Sequence, residues 1–237
     1  MAKLVLAWLV HLYTAFGVVI GFVTILAIDR TAFREALFLM ALAVVIDATD
    51  GTFARAARVK EIIPWFDGNL LDAIVDYFNY AIVPCFFILR TNLLPGEDAL
   101  WLAAMPLLAS AYGFCQRDAK TTDNFFLGFP SYWNIVAFYF YMLKTPAWAN
   151  AFTLIALSIL IFVPIKYIYP SRSPRFRVQS NVLGALWGGA ILYAIYRLPE
   201  PPRAILFASL LYPAYYTALS LWLQMRSLAI HDSHEVK

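Results

Sequence analysis

The sequence predicts an all-α fold: a polytopic integral membrane helical bundle of about eight transmembrane helices. Three observations predict it. Apolar residues make up 62% of the chain and charged residues only 14%, with a mean hydropathy of +0.68, far from the balance of a soluble domain. Apolar runs of roughly 20 residues recur, each long enough to cross about 30 Å of hydrocarbon. Charges and helix breakers collect between the runs rather than inside them.

In chain order, the first run is 4–28, preceded by Lys3. It is too long for the apolar region of a secretion signal and lacks a clear cleavage site, so it reads as an uncleaved span. Asp29 and Arg30 close it. The second span, 34–56, leads into the loop 56–67, which contains Pro64. The third, 68–90, stops before Pro95 and Gly96, and the fourth, 98–116, runs into the loop 117–130. A fifth at 131–148 carries Pro146 near its end, and a sixth at 151–169 precedes the loop 170–179. The seventh, 180–197, ends before the breakers Pro199 to Pro202, and the eighth covers 203–225. One membrane domain over 1–225 and a polar tail over 226–237 follow from this division.

The formal charge of +3 is too small to imply a nucleic-acid partner. Cys85 and Cys115 stand alone in apolar segments, with no CxxC pair and no Cys/His cluster, so both read as packing residues. Aromatic content of 17% fits interfacial belts and leaves rings for a site. Lysine and arginine orient the array. With the N-terminus in the cytoplasm, twelve of the 18 fall on the cytoplasmic side and six opposite. The C-terminus then returns to the cytoplasm, and the ends of spans two and three that face each other lie there as well.

Those ends hold the chemistry. Asp47 and Asp50 stand three residues apart, and Asp72 and Asp76 four apart, so on helices each pair shares a face. Four acids beside lipid are expensive and repel one another. A divalent hard cation relieves both costs, and all-oxygen ligation favours Mg²⁺, Mn²⁺ or Ca²⁺ over zinc. Gly51 offers bare backbone, Arg55 a planar cationic fork suited to phosphate, and Gly68 opens the next helix one turn before Asp72. Such a set suits a pyrophosphate.

The spacing D-x2-D-G-x2-A-R-x12-G-x3-D-x3-D is met by Asp47, Asp50, Gly51, Ala54, Arg55, Gly68, Asp72 and Asp76. It resembles the signature of the CDP-alcohol phosphatidyltransferase family. The resemblance implies a six-helix membrane core with two further helices, a homodimer, and Mg²⁺ or Mn²⁺ held by Asp47, Asp50, Asp72 and Asp76. It implies that Asp76 accepts a proton from the acceptor alcohol. Gly51, Ala54, Arg55 and Gly68 would bind CDP-diacylglycerol, joined by Thr14 and by Arg117 and Lys120.

Together with HLYTAFG in the first span, the segment LGFPSYWN resembles the bacterial phosphatidylcholine synthase branch, which uses choline. Aromatic faces beside carboxylates hold a quaternary ammonium, so Phe129, Tyr132, Trp133 and Asn134 are the choline candidates; an interfacial belt is the competing reading of the rings. The first span lacks the PN-x-x-T element of many relatives, and His11 there reads as a polar packing residue rather than a second base. Serine or glycerol 3-phosphate as acceptor stays open, with Arg117, Lys120, Arg172, Arg175 and Arg177 as a possible phosphate pocket. The last three equally suit anionic lipid headgroups. A cation-binding transporter is the alternative from another class, although no repeat symmetry supports it. The expected setting is a bacterial inner membrane, with the site facing the cytoplasm.

Overall fold

The structure is a computed structural model that describes residues 1–116, 125–168 and 176–235, with side chains described as far as Arg226. Its elements in order are α1 (Ala2–Asp29), α2 (Phe33–Ala56), α3 (Val59–Ile62), α4 (Gly68–Tyr77), a π-helical turn (Phe78–Ile82) and α5 (Val83–Arg90). Then come α6 (Ala99–Cys115), β1 (Phe125–Leu127), α7 (Trp133–Leu143), α8 (Ala147–Phe162), β2 (Lys166–Ile168), α9 (Arg177–Tyr196), α10 (Arg203–Ser209) and α11 (Leu211–Glu235).

The class is all-α, as expected. Among the described residues, five segments, against the eight spans expected, are long and apolar enough to cross a bilayer: Ala2–Asp29, Phe33–Ala56, Gly68–Arg90, Arg177–Tyr196 and Arg203–Arg226. The helices in the other three expected spans are shorter. α6 has 17 residues, α8 has 16 and α7 only 11. At 1.5 Å per residue, α7 reaches about 16 Å, roughly half the hydrocarbon thickness. Lys144 ends it in the left-handed region at φ 52°, and Pro146 follows two residues later. The expected sixth span, 151–169, stops at Phe162 because Pro164 cannot continue the helix. Residues 166–168 instead pair antiparallel with β1, Phe126 opposite Tyr167. Exposed apolar side chains such as Leu12, Val45, Leu186 and Leu211 give the long helices the outward face of a multi-pass membrane protein.

The chain forms two compact units: Met1–Leu107 with Tyr132–Ala151, and Leu108–Ser131 with Phe152–Lys237. In the first, α1 lies along α2 and also touches α4, the π-turn and α5, while α7 packs on the π-turn and α5. Ile20 of α1 meets Ala43 and Ile46 of α2, and Ala7 and Val10 meet Val59 and Ile63. Two glycines allow this closeness. A Cβ on Gly17 would lie 2.7 Å from Val75 Cγ1, and one on Gly21 would lie 2.7 Å from the Phe78 ring and 2.5 Å from Asn79 Oδ1. Cys85 is buried here, as expected of a packing residue.

In the second unit, the β1–β2 ribbon is held by α11. The Ile168 amide donates to Ser220 Oγ (3.0 Å), and the Lys166 amide donates to Gln224 Oε1 (3.1 Å). Cys115 corrects the packing expectation: it is exposed at the end of α6, where the helix gives out.

Candidate active site: an acid cluster on α2 and α4

Asp47 and Asp50 lie in the second half of α2, and Asp72 and Asp76 on α4. α4 starts where the sequence places it. The Asp67 carboxylate caps it, Oδ1 accepting from the amides of Asn69 (3.0 Å) and Leu70 (3.1 Å). The two helices bring one carboxylate oxygen each of Asp47, Asp50 and Asp72 within 4.8 Å of one another. Two ionised carboxylates that close repel by about 3 kcal/mol at an effective dielectric of about 20. Oxygens around a small octahedral dication stand about 3–4 Å apart, so slight side-chain adjustment suffices for this set to hold a divalent cation.

Two hydroxyls reach the cluster from other elements. Thr14 of α1 donates to Asp50 Oδ2 at 2.9 Å, and Tyr80 of the π-turn donates to Asp47 Oδ2 at 2.8 Å. Thr14, Asp47, Asp50, Asp76, Asn79 and Tyr80 line a small cleft together with apolar residues of α1, α2 and α4. Asp76 is half-buried there.

The remaining sequence candidates distribute unevenly. Gly51 sits beside Asp50, and Arg55 is exposed, donating to Thr52 Oγ1 at 3.0 Å. The guanidinium folds over Gly51, where an added Cβ would lie 3.3 Å from Nη1. Ala54 is half-buried and packs towards Val59 and Ile63. At Gly68 the space left by the missing side chain is taken by His11: a Cβ there would lie 2.7 Å from Cε1 of the imidazole. His11 is buried against Trp8 and Phe66, and its Nε2 has no hydrogen-bond partner among the described residues. Of the aromatic group, Tyr132 is half-buried and close enough to Tyr80 to interact electrostatically. Trp133 is wholly buried and Asn134 nearly so. Phe129 belongs to the second unit, where its amide donates to the Leu160 carbonyl at 3.0 Å. Arg117, Lys120, Arg172 and Arg175 lie outside the described residues.

Sequence reasoning passed over Tyr80 and Asn79. The signal was present: Tyr80 follows Asp76 by four residues, on the same helical face.

Searches among known proteins agree with the motif. The chain is 42% identical over 223 residues to a phosphatidylcholine synthase of Legionella pneumophila, covering 91% of this chain and 88% of that protein. A phosphatidylcholine synthase of Legionella bozemanae is 46% identical over 211 residues, 86% of this chain and 97% of the relative. The chain belongs to the phosphatidylcholine synthase family. A further relative of that name, from Pseudomonas aeruginosa, is 34% identical over 93% of this chain and 92% of its own length. No family model matches the chain.

Proposed function

We propose that this protein is a phosphatidylcholine synthase, transferring the phosphatidyl group of CDP-diacylglycerol to choline with release of CMP. The observation that carries this reading is the convergence of Asp47, Asp50 and Asp72 in a chain of that family. Mg²⁺ or Mn²⁺ is the group the three carboxylates suit, and when bound it offsets charge on the pyrophosphate and on the departing CMP.

The chain's own residues do the rest. Gly51 presents backbone and Arg55 a guanidinium to the CDP phosphates, and the small residues Ala54, packed towards Val59 and Ile63, and Gly68, packed on His11, belong to the same CDP-diacylglycerol side. Arg117 and Lys120 add positive charge for the same substrate. Thr14 steadies Asp50. The choline oxygen attacks the lipid-bearing phosphorus, the bond from that phosphorus to the CMP oxygen breaks, and Asp76 takes the hydroxyl proton. Tyr132, half-buried and near Tyr80, is the choice for the trimethylammonium. The enzyme works as a homodimer in a bacterial inner membrane, its acids facing the cytoplasm, where choline and the products of nucleotide activation are found.

The test is direct. Full-length protein in detergent, given CDP-diacylglycerol, choline and Mn²⁺ or Mg²⁺, releases CMP and forms phosphatidylcholine; serine and glycerol 3-phosphate do not replace choline, and chelator stops the reaction. CMP release that is indifferent to choline, or undiminished in excess chelator, overturns the reading.

A further inference from the structure

We propose that Tyr80 is a positioning residue for Asp47, set in place by the π-helical turn. The inference rests on the reading of Asp47 as a metal ligand.

The phenol donates to Asp47 Oδ2 at 2.8 Å, and the residue is 9% exposed, on the wall of the cleft shared with Asp50 and Asp76. A buried phenol requires an acceptor, and here the acceptor is an acid of the cluster rather than a nearby carbonyl. The local chain explains how it arrives. Pro84 has no amide to donate to the Tyr80 carbonyl, and its ring crowds that carbonyl in a regular helix. The backbone responds with a five-residue register: the Val83 amide donates to the Phe78 carbonyl.

The turn is then locked from the side. Asn79 Nδ2 donates to the carbonyls of Gly17 and Val75, both at 3.0 Å, and Gly17 and Gly21 admit the turn against α1. A phenol mounted on so fixed a turn cannot follow a drifting carboxylate, so it fixes the carboxylate. Thr14 does the same to Asp50 from α1. Each donor is neutral. It draws off negative charge from a ligand without placing a competing cation in the cluster. Outer donors of this kind commonly govern metal affinity by about 10- to 100-fold.

A Tyr80 that only packs makes a different forecast from one that orients Asp47. Full-length wild type, Tyr80→Phe and Asp47→Asn are titrated with Mn²⁺ in detergent, free Mn²⁺ being read by electron paramagnetic resonance. Thermal unfolding without metal is recorded alongside. Tyr80→Phe should raise the Mn²⁺ dissociation constant at least about tenfold. The Mn²⁺ concentration for half-maximal CMP release should rise in parallel, with kcat at saturating Mn²⁺ within about twofold of wild type. Mn²⁺ affinity within twofold of wild type overturns the proposal, even if the midpoint of unfolding falls. So does a loss confined to kcat. Asp47→Asn separates the two readings: if it too binds Mn²⁺ as wild type does, the metal site itself is misplaced; if it loses Mn²⁺ while Tyr80→Phe does not, only the role of Tyr80 fails.

Discussion

Asp76 differs from its neighbours in company rather than in type. Asp47, Asp50 and Asp72 approach one another, whereas Asp76 is the acid of the cleft outside that triad. A carboxylate on the wall of the cleft beside the other three acids is the proposed proton acceptor, whether or not it also ligates a metal. Asp76→Asn keeps size and shape, so turnover should fall by at least about 100-fold while CDP-diacylglycerol binding persists. Full turnover in this variant removes Asp76 from the acceptor role. His11 makes the other residue-scale case. Its ring fills the space beside Gly68, so Gly68→Ala should destabilise the detergent-solubilised protein by about 1–3 kcal/mol through overpacking. Adding His11→Ala should recover part of that loss, and strict additivity of the two changes would show that they do not touch. The identity of Gly68 was legible in the sequence; its partner was not. Nothing in the spacing says whether a bare glycine makes room for a substrate or for an imidazole 57 positions earlier in the chain.

Helices α1, α2 and α4 do the positioning at the scale of elements. α1 carries Thr14 to Asp50 and, one and two turns on, presents Gly17 and Gly21 to α4 and the π-turn. Gly21→Ala places a methyl 2.5 Å from Asn79 Oδ1 and 2.7 Å from the Phe78 ring. These belong to a turn already held by Asn79, so relief requires shifting backbone. A lower unfolding midpoint, by a few degrees, together with at least about tenfold lower turnover is the expected result. Wild-type values for both would show that the turn has slack. The long helices were readable because an apolar run of 20 or more residues is a one-dimensional signal. The short ones were not. α7 and α8 are cut by Lys144 in a left-handed conformation and by Pro164, while the apolar composition around them continues. Hydropathy registers the composition and misses the break. The β1–β2 ribbon was missed for the same reason: three residues on each side leave no periodicity to find.

For the molecule as a whole, membrane orientation is a proposal that rests on charge: on the eight-span reading of the sequence, twelve lysines and arginines against six favour a cytoplasmic N-terminus and 56–67 loop. Trp65, 73% exposed in that loop, is the position to probe. In protein with Cys115 replaced by serine, Trp65→Cys should resist an impermeant maleimide in intact cells and react once the membrane is permeabilised. Labelling in intact cells reverses the orientation. Composition, helical class and the eight spaced motif residues are properties of a string, so the chain determined them unaided, and with them the membrane as solvent and the family. Which side chains meet was settled only by packing. Thr14 finds Asp50 across 36 residues and Tyr80 finds Asp47 across 33, contacts that exist because helices pack with their small residues inward. No pattern along the chain records the distance between two faces that touch only after it has folded.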